Sequence, residues 1–204
     1  MAHDHKHKFA SIILAAGKGE RMRSTLPKVM HRLAGTPLIG HVLSVLKPLA
    51  PEKTVVVVAP HMDIVREAAL KFAPDCQFTL QNQQLGTAHA VLAAEKELGK
   101  YDGTVLVLYG DTPLISAHTL HHLQHAAETA DVTVLGMRLD NPTGYGRLLI
   151  DAQGQLQSIV EEKDATPEQR QLTLCNSGVM AFNGKHLLEL LKQLALIGRG
   201  NARA

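Results

Sequence analysis

Hydrophobic residues along this chain alternate between continuous runs of strand length and stretches spaced for one face of a helix. Phe9–Leu14 (FASIIL), residues 54–59 (TVVVVA), residues 77–81 and Thr104–Tyr109 (TVLVLY) are short apolar runs, and successive β-branched residues predict strands buried on both faces. Leu38, Ile39, Val42, Leu43 and Leu46 recur with helical spacing, with Pro37 at the first helical position and Thr36 as N-cap. Residues 61–72 and 86–98 read as further helices, and Ser116 caps one running to residue 128. Residues 131–138 add a strand. From Asn141 the rhythm changes to Gly-rich turns and shorter strands at Arg147–Ile150, 155–160 and 174–182, before a last apolar helix at 187–196. The order predicts an α/β fold with an open, mostly parallel sheet, helices on both faces, and a mixed or antiparallel extension covering the site. In such sheets ligands lie beyond the carboxyl ends of the strands.

Composition narrows the partners. The 204 residues suffice for one substantial domain, and 45% apolar with 20% charged residues is ordinary for a globular chain. A formal net charge of +2 provides no broad field for nucleic acid, and no apolar stretch approaches the roughly 18 residues of a membrane span. With no apolar signal-peptide core at the N-terminus, a cytoplasmic chain is expected. Aromatic residues make up only 3% and Trp is absent, so recognition of a base falls to backbone and amide groups rather than to stacking. Cys76 and Cys175 have no metal-type spacing and read as reduced, structural thiols. The start MAHDHKHK reads as a disordered, His-rich tail over residues 1–8, of a composition that binds transition metals weakly.

Candidate chemistry clusters at the predicted strand ends. LAAGKGERMRSTLPK follows the first strand with small residues at Ala15, Ala16, Gly17 and Gly19, which let phosphates approach backbone N–H groups. Arg21 and Lys28 add positive charge, Arg21 with a fork that bridges two oxygens and Lys28 as a mobile point charge. Neither a P-loop nor a dinucleotide fingerprint fits, since Met22 stands where the latter needs its third glycine. The bland reading of the loop is a flexible strand-to-helix connection. Asp111, one glycine beyond TVLVLY, projects a carboxylate suited to part of a Mg²⁺ shell, or else begins a turn before Pro113. In LQNQQLGTAHAV, Gln81 and Gly86 are candidates for the edge of a base, against the alternative that these glutamines are merely solvated. NPTGYGR, IVEEKDAT and CNSG place Gly146, Glu161, Lys163 and Asn176 near strand ends, where they suit a polyhydroxylated phosphate ligand or, alternatively, form only a hairpin turn and a charged strand edge.

Taken together, LAAGKGERM with LPK, QLGTAHA, YGDTPLI, NPTGYGR, IVEEKDAT and CNSGVM resemble, in order, the sugar-1-phosphate nucleotidyltransferases. The likeness runs from about Ile12 to Phe182 and is strongest to the uridylyltransferase domains of bacterial bifunctional uridylyltransferase–acetyltransferases. It implies a Rossmann-like nucleotide-diphospho-sugar transferase fold and uridylyl transfer from UTP to N-acetylglucosamine 1-phosphate for cell-wall precursor synthesis. On this chain it implies nucleotide contacts at Ala16, Gly17, Gln81 and Gly86, and triphosphate contacts at Arg21 and Lys28. It further implies a sugar-phosphate pocket of Thr87, Tyr109, Gly146, Glu161 and Asn176, and Asp111 as one of two protein ligands of Mg²⁺. The relatives continue beyond Asn201 with the second ligand, an Asn, and a trimerising left-handed β-helix that transfers acetyl groups. No hexapeptide repeat occurs within these residues. The expectation is therefore a nucleotidyltransferase domain over residues 9–204, truncated at its C-terminal end, without acetyl transfer or trimerisation and with uridylyl transfer weakened by the missing ligand. Another sugar 1-phosphate, or a catalytically silent nucleotide-binding module, are the alternatives.

Overall fold

The computed structural model describes residues 8–17, 19 and 22–200, with side chains described up to residue 193. Two compact units emerge, one formed by the chain to Thr133 together with its end from Ala181, the other by Val134–Met180.

In the first unit, β1 (Phe9–Leu14) lies between β4 (Lys53–Val58) and β6 (Thr104–Tyr109), parallel to both, with Ile12 opposite Val55 on one side and Val107 on the other. β5 (Gln77–Leu80) extends the sheet beyond β4, also parallel, giving the order β5-β4-β1-β6. Every residue of β1 is buried, as are Val55 to Val58 and Thr104 to Leu108, which is why these strands read as unbroken apolar runs rather than alternating ones. Around the sheet run α1 (Leu38–Leu46), α2 (Asp63–Phe72), α3 (Thr87–Ala93), α4 (Glu95–Leu98), α5 (Ala117–Ala126) and α7 (Gly184–Gly200). Gly40 on α1 gives way to Phe72 on α2, whose ring would lie 2.6 Å from any Cβ there. At the start of α7, Gly184 meets the carbonyls of Gly103 and Tyr101, 2.5 and 2.6 Å from where its Cβ would stand.

Two helix readings are corrected. Thr36 does not cap α1: Thr36–Pro37 is a short strand, β3, paired with β2 (Arg32–Leu33), and Pro37 precedes the first helical residue without a side-chain cap. The helix expected over 86–98 is broken at Ala94 into α3 and α4. Ser116 caps α5 as expected, its Oγ accepting from the Thr119 N–H.

The second unit is antiparallel. β8 (Arg147–Ile150) pairs with β9 (Leu156–Val160), Leu148 opposite Ile159, with a register irregularity between Leu149 and Ile150. Cys175 of β10 (Leu174–Asn183) pairs with Arg147 on the other side of β8. The short helix α6 (Pro167–Arg170) opens on a capping box of Thr166 and Gln169. β7 (Val132–Arg138) and β10 each carry the chain across the boundary between the units. Cys76 and Cys175 are free and buried, in keeping with the structural reading. Among the described residues, no helix is long and apolar enough to cross a membrane.

Candidate active site

The carboxyl ends of three parallel strands converge on one cleft of about 260 Å³ in the first unit. Strand hydrogen bonding continues one step past each end. The Ala15 N–H donates to Val57 O (2.8 Å), the Gln81 N–H to Val58 O (2.9 Å) and the Gly110 N–H to Leu14 O (2.9 Å). The segments that leave the sheet are thus fixed at their roots, and the next residues face the cleft. Ala16, Gly17, Lys28, Gln81, Gly86, Thr87, Tyr109 and Asp111 all line it. Eight of the positions singled out in the sequence, spread over residues 16–111, are brought together.

Gly110 allows this turn because the space beside it is taken: a Cβ there would stand 3.1 Å from Val29 Cγ1 and 3.3 Å from Leu14 O. Asp111 follows, and its Oδ2 lies 2.5 Å from Lys28 Nζ. Lys28 begins a short 3₁₀ turn, Lys28–Met30, that buries Val29. Gly17 and Gly19 have different jobs. A Cβ on Gly17 would meet nothing within 4 Å, so the loop is open there, as phosphate approach requires. Gly19, at φ +65°, lies where its Cβ would be 2.8 Å from Lys28 Cβ, so its missing side chain makes room for the lysine.

On the other wall, Gln81 is buried, and its Nε2 donates to Gly86 O at 3.2 Å and lies 3.3 Å from His89 Nδ1. Gly86 precedes α3 at φ +98°, a conformation that favours glycine. Thr87 Oγ1 and Tyr109 Oη are 3.2 Å apart. Gln84, not chosen from the sequence, also lines the cleft, and its Nε2 donates to Ala16 O at 2.6 Å. Its place in QNQQLG was visible, but Gln81 alone of the three glutamines was singled out there.

Asp111 is the acidic side chain lining the cleft, and no group of three or more His, Cys, Asp or Glu that could hold a metal ion occurs among the described residues. Its carboxylate already faces a cation, the Lys28 ammonium. A single hard oxygen donor so placed fits Mg²⁺ whose remaining positions are filled by phosphate and water oxygens. Arg21 lies outside the described residues.

Gly146, Glu161 and Asn176 are gathered in the second unit. The Asn176 N–H donates to Gly146 O at 2.8 Å, and a Cβ on Gly146 would stand 3.4 Å from Glu161 Oε1. Asn176 Oδ1 accepts from the Gly178 N–H at 2.8 Å. The same unit holds a residue to which sequence reasoning gave no role beyond the end of NPTGYGR and the start of a strand. Arg147, 1% exposed, donates to Tyr145 O and, at 3.0 Å, to Arg170 O, and its Nη2 lies 2.7 Å from Glu162 Oε2. The guanidinium thereby ties the turn before β8 to α6, and its hydrogen bond holds the Glu162 carboxyl below its ordinary value.

A family model described as the MobA-like NTP transferase domain matches residues 11–174, which include the loop, the cleft and, from the second unit's cluster, Gly146 and Glu161. The chain belongs to that family. It is 50% identical over 199 residues to the bifunctional protein GlmU of Rhodospirillum rubrum, covering 96% of this chain and 43% of that protein. To GlmU of Paramagnetospirillum magneticum it is 48% identical over 190 residues, covering 92% of this chain and 41% of the relative. The chain therefore spans less than half the length of these curated relatives. Among solved structures, HddC from Yersinia pseudotuberculosis complexed with GMP-PN superposes with a TM-score of 0.70 at 24% identity, over 88% of this chain and 78% of that one. The 4-diphosphocytidyl-2C-methyl-D-erythritol synthase of Anaerococcus prevotii gives 0.67 at 16% identity, over 94% and 76%. Likeness at that level of identity establishes the fold. This family member is a nucleotidyltransferase of mixed α/β type with a mainly parallel central sheet.

Proposed function

We propose that this chain transfers a uridylyl group from UTP to N-acetylglucosamine 1-phosphate, yielding UDP-N-acetylglucosamine and pyrophosphate for cell-wall precursor synthesis in the cytoplasm. The observation that carries this reading is the cleft itself, where an amide wall of Gln81 and Gly86 stands with a Lys28–Asp111 ion pair at the strand ends. The choice of base and sugar rests on the resemblance of the sequence motifs to uridylyltransferase domains, and the likeness to the GlmU relatives over nearly the whole chain supports it.

In the reaction, an oxygen of the sugar phosphate attacks the α-phosphorus of UTP, a new P–O bond forms, and the bond to the β-phosphate breaks to release pyrophosphate. The attacking phosphate is already ionised, so no strong base is needed. The barrier lies in bringing two anions together in line, which calls for positive charge and alignment. Lys28 supplies a mobile ammonium, the open loop at Gly17 exposes backbone N–H groups, and Gln81 with Gly86 offers amide and backbone groups to the uracil edge. Arg21 supplies a second cation from the same loop. Thr87 and Tyr109, joined at 3.2 Å, present hydroxyls to the sugar phosphate, and for Gly146, Glu161 and Asn176 the role of sugar contacts is the one the motif resemblance implies. Asp111 would hold Mg²⁺, which would supply neutralisation of phosphate charge and polarisation of the phosphoryl group.

The test is pyrophosphate release by the purified chain with UTP, N-acetylglucosamine 1-phosphate and Mg²⁺, beside Asp111→Ala. Release that depends on the sugar phosphate and falls by roughly 10²–10³ in the variant is the expected result. UTP binding without release, or faster release with another sugar 1-phosphate, overturns the assignment.

A further inference from the structure

The surface of α5 carries histidines that the nucleotide cleft does not use. His118, His121, His122 and His125 fall at i, i+3, i+4 and i+7 and are exposed, while Leu120, Leu123 and Gln124 are buried. The helix thus divides into an apolar stripe and an imidazole stripe. Two of the four rings converge. Nε2 of His118 lies 3.1 Å from Nε2 of His122, with ring centroids 4.3 Å apart and planes inclined at 56°. His125 is turned elsewhere, its Nδ1 3.1 Å from Glu128 Oε1, and the rings of His121 and His122 are edge-on at 6.3 Å.

A nitrogen-to-nitrogen distance of 3.1 Å has a direct chemical meaning. Two imidazole nitrogens bound to one ion at about 2.0–2.1 Å stand about 2.9 Å apart when the angle at the metal is square and about 3.4 Å apart when it is tetrahedral. The pair already sits at that bite. In the metal-free pair one Nε2–H donates to the other Nε2, so one proton stands between the rings. Moving that proton to the ring's own Nδ1 gives two neutral imidazoles with both Nε2 lone pairs available, the form that ligates metal. Little reorganisation is needed. The Ser116 cap fixes the first turn of α5, and Leu120 and Leu123 anchor its opposite face, so the spacing between the two histidines is set by a packed helix.

We infer that His118 and His122 form a bidentate site for a divalent late-transition-metal ion, of the class of Ni²⁺, Cu²⁺ or Zn²⁺, on the exposed face of α5. Imidazole donors favour these ions over Mg²⁺, which takes oxygen ligands, so the site is chemically distinct from Asp111 in the cleft. Water fills the remaining coordination positions. Its two linked ligands give a gain over either histidine alone, because the second imidazole binds at a high effective concentration.

The test is Ni²⁺ titration by calorimetry on the full chain. His3, His5 and His7 are all replaced by Ala, so that the N-terminal histidines do not contribute. One equivalent is expected to bind, with at least about tenfold weakening in His118→Ala and in His122→Ala and unchanged affinity in His121→Ala. Cu²⁺ in the same background is expected to give an electron paramagnetic resonance spectrum with coupling to two imidazole nitrogens, reduced to one in either single variant. Equal affinity in parent and His118→Ala, or a loss that tracks His121→Ala instead, overturns the inference. The substitutions lie on the exposed face, and circular dichroism checks that α5 remains folded in each variant.

Discussion

Strands β1, β4 and β6 bury nearly every residue, and the cleft's polar groups sit on turns just beyond them, where the sheet's last hydrogen bonds fix the backbone. In the Val134–Met180 unit the strands are only partly buried, and at the root of its cluster lies a charged side chain, Arg147, closed off from solvent. The first arrangement relies on close backbone approach, in which absent side chains at Gly19, Gly110 and Gly184 matter as much as present ones. The second relies on one guanidinium satisfying two carbonyls and a carboxylate. The two units rest on two kinds of support that fail differently.

The sharpest way to break the contrast is Arg147→Met. Methionine fills space but donates nothing, leaving Tyr145 O, Arg170 O and Glu162 without their partner, a loss expected to cost about 2–4 kcal/mol. Urea unfolding measures it, and hydrogen exchange is expected to place the lost protection in residues 134–180 while β1, β4 and β6 keep theirs.

Gly184→Ala tests the other support. The new methyl would meet backbone carbonyls rather than a flexible side chain, so relief requires moving α7 or the Tyr101–Gly103 segment, at about 1–3 kcal/mol. Thermal unfolding records the cost, and in this variant the weakened exchange protection is expected in the parallel unit. A Gly184→Ala protein as stable as the parent would mean that close approach does not constrain this unit.

The smallest effect is the dependence on acid. Because Arg147 holds the Glu162 carboxyl below the ordinary glutamate value of 4.5, the folded unit binds that proton less readily than the unfolded chain. This contribution to stability is complete above pH 4.5 and is lost as the pH falls through the lower folded value. Glu168, held down by the Thr166 hydroxyl, acts in the same sense, so the comparison must be made between parent and Arg147→Met. The difference in stability between the two proteins is expected to shrink on acidification, and a difference independent of pH would sever Glu162 from the clamp.

The sequence made the parallel sheet legible because strands buried on both faces leave a simple trace, and TVLVLY became β6 without adjustment. Ser116 was equally plain, a capping residue ahead of a helical pattern. Thr36 has the same chemistry but pairs with Leu33 in a short ladder, a tertiary fact that local pattern does not carry. In the cleft, the kinds of residues could be read but not their pairings. Lys28 and Asp111 meet only because two strand ends are adjacent, and Gln84 was chosen among its neighbours by reaching Ala16 O. Arg147 was least legible, since an arginine at a strand start looks solvated until the carbonyls around it are known.

The contact between Gly19 and Lys28 also bears on how the loop tolerates change in length. Residues 19 and 28 approach so closely that a Cβ on Gly19 would stand 2.8 Å from Lys28 Cβ, so the chain from one to the other closes a ring whose two ends are held together. Chain entropy penalises enlarging such a ring only weakly, each doubling of loop length costing about 0.6 kcal/mol. Insertions there would leave the fold almost as stable while loosening the lysine from its anchor. On the proposed role of Lys28, the length of this loop is therefore a constraint that selection would see through turnover and hardly at all through folding.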